Sequence, residues 1–160
     1  MIQARILPLL ILFVCSISPS FLFAQVDFSG LWKGIITQDE GGYKTEYGFE
    51  LYLQQEGSRV VGRSYVVDGT LYAEMDLKGN IYNKNYLRFQ ELKIVDFTIV
   101  ENMEWCIKKG HLILQFKGDK AYLTGVWKGI TSFGDCIPGR IELERKIIRA
   151  AVEEDEARKF

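Results

Sequence analysis

Histidine, cysteine and proline are scarce in this chain of 160 residues: one, three and three. With His111 as the single imidazole, a metal site built on the cysteines has no further ligands of the usual kind, and none is expected. Charge of one sign is lacking too. Twenty basic against 21 acidic side chains leave a net charge of -1, without the basic footprint of a nucleic-acid binder. Gly-x-Ser-x-Gly, a phosphate loop, His-Glu-x-x-His, an Asp-rich calcium loop and an Asn-x-Ser/Thr sequon are all missing. Nucleophilic, phosphoryl-transfer and metal chemistry therefore have no motif behind them, and no cofactor is expected. What is abundant is apolar: 48% hydrophobic and 13% aromatic residues, enough for one domain with a core and incompatible with a disordered chain.

The first 24 residues read as a leader. Arg5 is the only charge before Asp27, residues 6–14 are apolar apart from Pro8, and small Ala24 precedes Gln25. That order predicts a secretory signal over 1–24 with cleavage after Ala24, hence a secreted or periplasmic address. The alternative is an uncleaved anchor. Its apolar run is short of the roughly 20 residues that cross a bilayer, so membrane association is expected only through such a leader. Loss of Cys15 would leave Cys106 and Cys136 as an even pair in an oxidising compartment, which predicts a disulfide. A two-cysteine metal site is the competing reading.

Over 27–145 the hydrophobic period is two, interrupted at short intervals by turn residues. The second strand is the clearest: Tyr43, Thr45, Tyr47, Phe49, Leu51 and Leu53 alternate with polar or small neighbours. Eight strands are predicted, over 28–37, 43–54, 59–67, 71–77, 86–94, 112–116, 121–131 and 140–147. Residues 95–110 read as a long connection with room for a short strand at 97–100. The fold class is all-β, a single antiparallel up-and-down meander closed into a barrel of about eight strands, because closure hides both sheet edges. An orthogonal sandwich is the nearest competitor. The domain is placed at 25–147, with a short C-terminal helix over 148–160. Meander parity puts the links 38–42, 68–70, 95–110 and 132–139 at one end and the tight turns 56–58, 79–85 and 117–120 at the other. A Cys106–Cys136 bridge would tie the two long links together.

Gly30-Leu31-Trp32 lies early in the first strand and Arg145 late in the last. In a closed meander these are neighbours, with the guanidinium over the indole as a structural floor. Here the chain resembles the lipocalins and the wider calycin group, whose first strand carries Gly-x-Trp and whose last carries an Arg stacked on it. The lipocalin Thr-Asp-Trp signature has no counterpart. The resemblance implies a cup-shaped barrel that holds a small apolar ligand.

Several residues stand out as candidate contacts. Gly125-Val-Trp127-Lys-Gly nearly repeats Gly30-Leu-Trp32-Lys-Gly. The pair of tryptophans either frames a ligand or packs large rings where the wall bends. Of the two, Trp127 stands nearer the long links. Ile36, Phe49, Val66, Ala73, Leu114 and Trp127 are the expected apolar walls, with Leu87 and Phe89 on the inner face of the fifth strand. Small inward residues such as Gly34, Gly62, Ser64 and Ala73 leave room for a hole. In that register Glu91 enters the barrel, as an acid or base, a polar anchor, or a structural partner of Tyr47 or Ser64. The opposite register would bury Arg88. Trp105 on the long connection is a lid or a cover for the core, and His111 is expected to be solvated.

Three functions compete: a barrel binding a small, largely apolar ligand; a filled barrel acting as an interaction or structural module through the 95–110/132–139 loop end; and an enzyme using Glu91. No catalytic residue is assigned. A retained small molecule would separate the first from the second.

Overall fold

The computed structural model describes residues 26–146. Its strands are β1 (Gly30–Thr37), β2 (Glu46–Glu56), β3 (Arg59–Asp68), β4 (Leu71–Tyr82), β5 (Tyr86–Phe97), β6 (Ile107–Lys117), β7 (Lys120–Thr131), β8 (Gly134–Asp135) and β9 (Gly139–Lys146). All pairings are antiparallel, and β6 pairing with β7 closes the order β6-β5-β4-β3-β2-β1-β9-β7. The chain is an all-β, closed eight-stranded barrel with the two-residue β8 added at the edge of β7. The first and last long strands lie side by side, with Gly34 opposite Leu143 and Ile36 opposite Ile141. No helix occurs among the described residues. The helix expected over 148–160 and the leader over 1–24 lie outside them.

Alternation along each strand decides what fills the barrel. Phe49, Leu51 and Leu53 of β2, Ala73, Met75 and Leu77 of β4, and Leu87 and Phe89 of β5 are buried, as are Leu112, Leu123, Ile141 and Leu143 on the closing side. Tight turns follow β2, β4 and β6, and the longer links lie at the other end, together with the two-residue turn 69–70. The Cys106–Cys136 disulfide joins two of these, 98–106 and 132–138.

Several boundaries differ from the sequence expectation. β4 runs to Tyr82, so the turn shrinks to 83–85, where Asn83 and Lys84 take positive φ. β2 begins at Glu46, which leaves Tyr43 and Thr45 in the preceding link. The long connection is 98–106 rather than 95–110, because β5 extends to Phe97 and β6 begins at Ile107. No separate strand forms at 97–100. His111 is not simply solvated: its Nδ1 lies 2.7 Å from the Tyr86 hydroxyl, and the two rings stack at 5.6 Å.

β5 carries the main irregularity. Its pairing with β4 shifts register twice, between Glu74 and Met75 and between Asp76 and Leu77. An extra residue in one strand bends it and increases its twist. Here Leu92 and Val95 are the residues skipped on β5. The upper half of β5 then departs from β6, and their pairing ends at Gln90 opposite Lys109. Beyond that point Leu92, Val95 and Phe97 are exposed.

Candidate functional site

The closed end of the barrel is sealed by an indole under a guanidinium. Trp32 is fully buried, and the Arg145 guanidinium carbon stands 4.4 Å from its ring centroid. The Trp32 indole N–H donates to the Phe28 carbonyl at 2.8 Å, and Arg145 donates to the carbonyls of Ser29 and Asp27. Gly30 has φ of +111°, and a Cβ there would stand 3.3 Å from the Arg145 guanidinium. The glycine of Gly-x-Trp is thus needed for its backbone conformation and for the arginine's approach. Burial lowers the Arg145 pKa, with the Asp27 charge acting the other way. Gly30, Trp32 and Arg145 are brought together as the floor.

At the mouth the chain leaves a cup of about 70 Å³. Of the residues singled out from sequence, Ile36, Tyr47, Val66, Trp105 and Trp127 line it, joined by Gln38, Tyr43, Met103, Glu104, Cys106 and Lys108. Phe49, Ala73, Phe89 and Leu114 are buried elsewhere in the core, outside that lining. Two of the small inward residues serve the wall itself. A Cβ on Gly34 or Gly62 would stand 2.0 or 1.9 Å from the carbonyl oxygen of the neighbouring strand, so these glycines let the wall approach itself closely.

Beneath the cup lies a buried ion pair. Glu91 is 0% exposed and Lys108 3%. Glu91 Oε1 accepts from the Ser64 hydroxyl at 2.5 Å, and Oε2 accepts from the Lys108 backbone N–H at 2.7 Å. Lys108 Nζ lies 3.1 Å from the same Oε2 and also donates to the Cys106 carbonyl at 3.2 Å. The origin of this arrangement is the departure of β5 from β6. Past Gln90 the β6 backbone has lost its ladder partner, and a buried N–H left unpaired costs about 1–3 kcal/mol. The Glu91 carboxylate takes that N–H in place of a main-chain carbonyl. Its expected entry into the barrel is found, with Ser64 as partner. Tyr47 instead donates to Gln38 Oε1 at 3.2 Å. Arg88 is on the exterior, where it borders an outer groove with Lys109, His111, Lys128 and Arg140.

Lys108 was missed from sequence because Lys108-Lys109-Gly110 looks like a polar link. The signal was present. Counting back by twos from inward Leu114 and Leu112 passes Gly110 and reaches Lys108 on the inner face.

Several of the cup's other polar groups have partners within the protein. Trp127 donates its indole N–H to the Thr37 carbonyl at 2.8 Å, and Trp105 donates to the Thr98 carbonyl at 3.1 Å. Glu104 at the rim accepts from both the backbone and the hydroxyl of Ser132. Burial raises the Tyr47 phenol above its ordinary 10.0, a backbone hydrogen bond from Lys44 lowers it, and the Tyr43 and Asp68 charges raise it further. Among the described residues no group of three or more His, Cys, Asp or Glu could hold a metal. No protein-family model, curated protein or solved structure matches the chain.

Proposed function

We propose that this chain is a secreted or periplasmic, lipocalin-like barrel that holds a small, largely apolar ligand in the cup at its disulfide-tied mouth. The observation that carries the reading is the asymmetry of the interior. One end is filled by Trp32 and Arg145, whereas the other keeps a recess walled by Trp105, Trp127, Ile36 and Val66 over a single buried ammonium. Concave sites with mostly apolar walls and few placed polar groups suit small ligands. The Cys106–Cys136 disulfide supports an oxidising compartment. At about 70 Å³ the cup is below the ~300–1,000 Å³ of sites that enclose a drug-sized molecule. It accepts a small molecule or one end of a longer one. Native mass spectrometry of the protein purified from its own host tests this. A retained mass of a few hundred daltons or less, lost in Trp127→Ala, is expected. A clean apoprotein that also gives no tryptophan fluorescence response to any small apolar compound would overturn it.

One observation favours a second reading, a protein-interaction or structural module with a filled barrel. Phe133 is 88% and Ile99 85% exposed on the two links at the mouth, and exposed apolar groups gathered at one place mark contact surfaces. Under that reading Phe133→Ser with Ile99→Ser abolishes capture of a partner from envelope extracts. Equal recovery by the parent and the variant counts against it.

A further inference from the structure

We propose that the ligand of the cup carries an uncharged hydrogen-bond acceptor, a carbonyl of the ketone, aldehyde, ester or amide kind, which takes the third N–H of Lys108. This rests on the cup reading above and narrows it to a chemical class.

The indole N–H groups of Trp127 and Trp105 and the Tyr47 hydroxyl already donate within the protein. Lys108 has three N–H bonds. Two go to Glu91 Oε2 and the Cys106 carbonyl, at 3.1 and 3.2 Å. The third is donated to the Met75 sulfur at 3.9 Å, and the Phe49 ring centroid lies 5.9 Å away. A thioether is a weak acceptor. The lysine side chain is 4% exposed, yet it lines the cup. A ligand oxygen entering the cup would therefore find one under-used, charge-assisted donor at the bottom.

Charge then selects the kind of acceptor. Glu91 neutralises Lys108 at contact distance, so the floor as a whole is neutral. A ligand carboxylate on the same ammonium would lie within roughly 6 Å of the Glu91 carboxylate, where like charges disfavour each other. Glu104 at the rim adds a second negative group. A neutral carbonyl accepts the same N–H without bringing a charge into a buried place. Size sets the last limit. At ~10–15 Å³ per water-sized position, the cup holds roughly five such positions, which suits a carbonyl with a few carbons attached. The rest of a longer molecule would leave past Tyr43 and Trp105.

The test titrates the full protein at pH 7 with 2-hexanone, hexane and hexanoate, following the indole N–H signals of Trp127 and Trp105 by NMR. We expect 2-hexanone to bind about tenfold or more tightly than either of the others. Hexane binding as well as 2-hexanone, or hexanoate binding more tightly, overturns the acceptor proposal and leaves the cup reading standing. No response to any of the three overturns both. A companion variant changes the pair together, Glu91→Gln with Lys108→Met, because removing one partner would strand the other. In it the preference for 2-hexanone over hexane should fall to about one. A preference that survives shows that Lys108 is not the donor.

Discussion

The two ends of this barrel are built around near-copies of one segment, Gly30-Leu-Trp32-Lys-Gly and Gly125-Val-Trp127-Lys-Gly, and they differ in almost everything else. At the floor, Trp32 is sealed beneath Arg145 and short turns complete the closure. At the mouth, Trp127 stands at the edge of a recess, and the strands are joined by long links held through a disulfide. Both indole N–H groups are satisfied by backbone carbonyls at 2.8 Å, so the difference does not come from the tryptophans' own hydrogen bonds. It comes from what each ring faces: the Arg145 guanidinium in one case, and in the other a recess that Trp127 shares with the 98–106 link and Lys108. The same motif thus gives a plug or a wall according to the end of the strand on which it falls.

The comparison can be strained hardest at the ion pair. Glu91→Ala leaves Lys108, its backbone N–H and Ser64 without their acceptor, and should lower unfolding stability by about 3–5 kcal/mol. Replacing Glu91 by Gln and Lys108 by Met together should cost far less; urea denaturation of the single and paired variants measures the coupling. Next comes the bridge. Exchanging Cys106 and Cys136 for serine removes a 30-residue closure and should cost about 3–4 kcal/mol on the chain-entropy model. Hydrogen exchange should then rise around Ile107–Lys109 and Ile130–Asp135 while the β1–β9 seam stays protected. Equal loss of protection at both ends would mean that the mouth is not a separable region.

The floor is probed by Arg145→Met, which keeps the aliphatic packing and removes the cation and its two carbonyl bonds. A loss of about 1–3 kcal/mol is expected, with no change in ligand response at the mouth. The smallest effect concerns Tyr47. Its phenol titrates higher folded than unfolded, chiefly through burial, so the neutral form is favoured in the native state. Stability is unaffected below pH 10 and falls as pH rises from the ordinary tyrosine value toward the folded one. Tyr47→Phe should flatten the melting-temperature decline between pH 9.5 and 11. An unchanged decline would place the alkaline sensitivity elsewhere.

Much of this was legible in the chain. Alternation in β2, β3 and β4 identified the inner face, and loop lengths with Cys106 and Cys136 identified the elaborated end. The Gly30, Trp32 and Arg145 grouping followed once β1 and β9 were taken as neighbours. Illegible were the two register shifts in β5, because a bulge leaves no signature where Leu92, Ile94 and Val95 are all apolar. That failure propagated. Without the shifts β5 has no reason to leave β6, so the meeting of Glu91 with the Lys108 backbone N–H stays hidden, although the alternation of β6 already puts Lys108 on the inner face. What the small residues do was illegible for a related reason. Sequence shows that Gly34 and Gly62 are small, but not that a neighbouring strand occupies the space.

By itself the sequence determined the pattern of faces, the placing of its turns and the residues available to seal one end, because period-two burial and turn chemistry are local properties of a chain. Tertiary structure alone decided how large the cup is and what stands at its bottom. Those depend on where two strands part, and a backbone N–H that has lost its partner can only be satisfied by whichever side chain the closed barrel brings within reach.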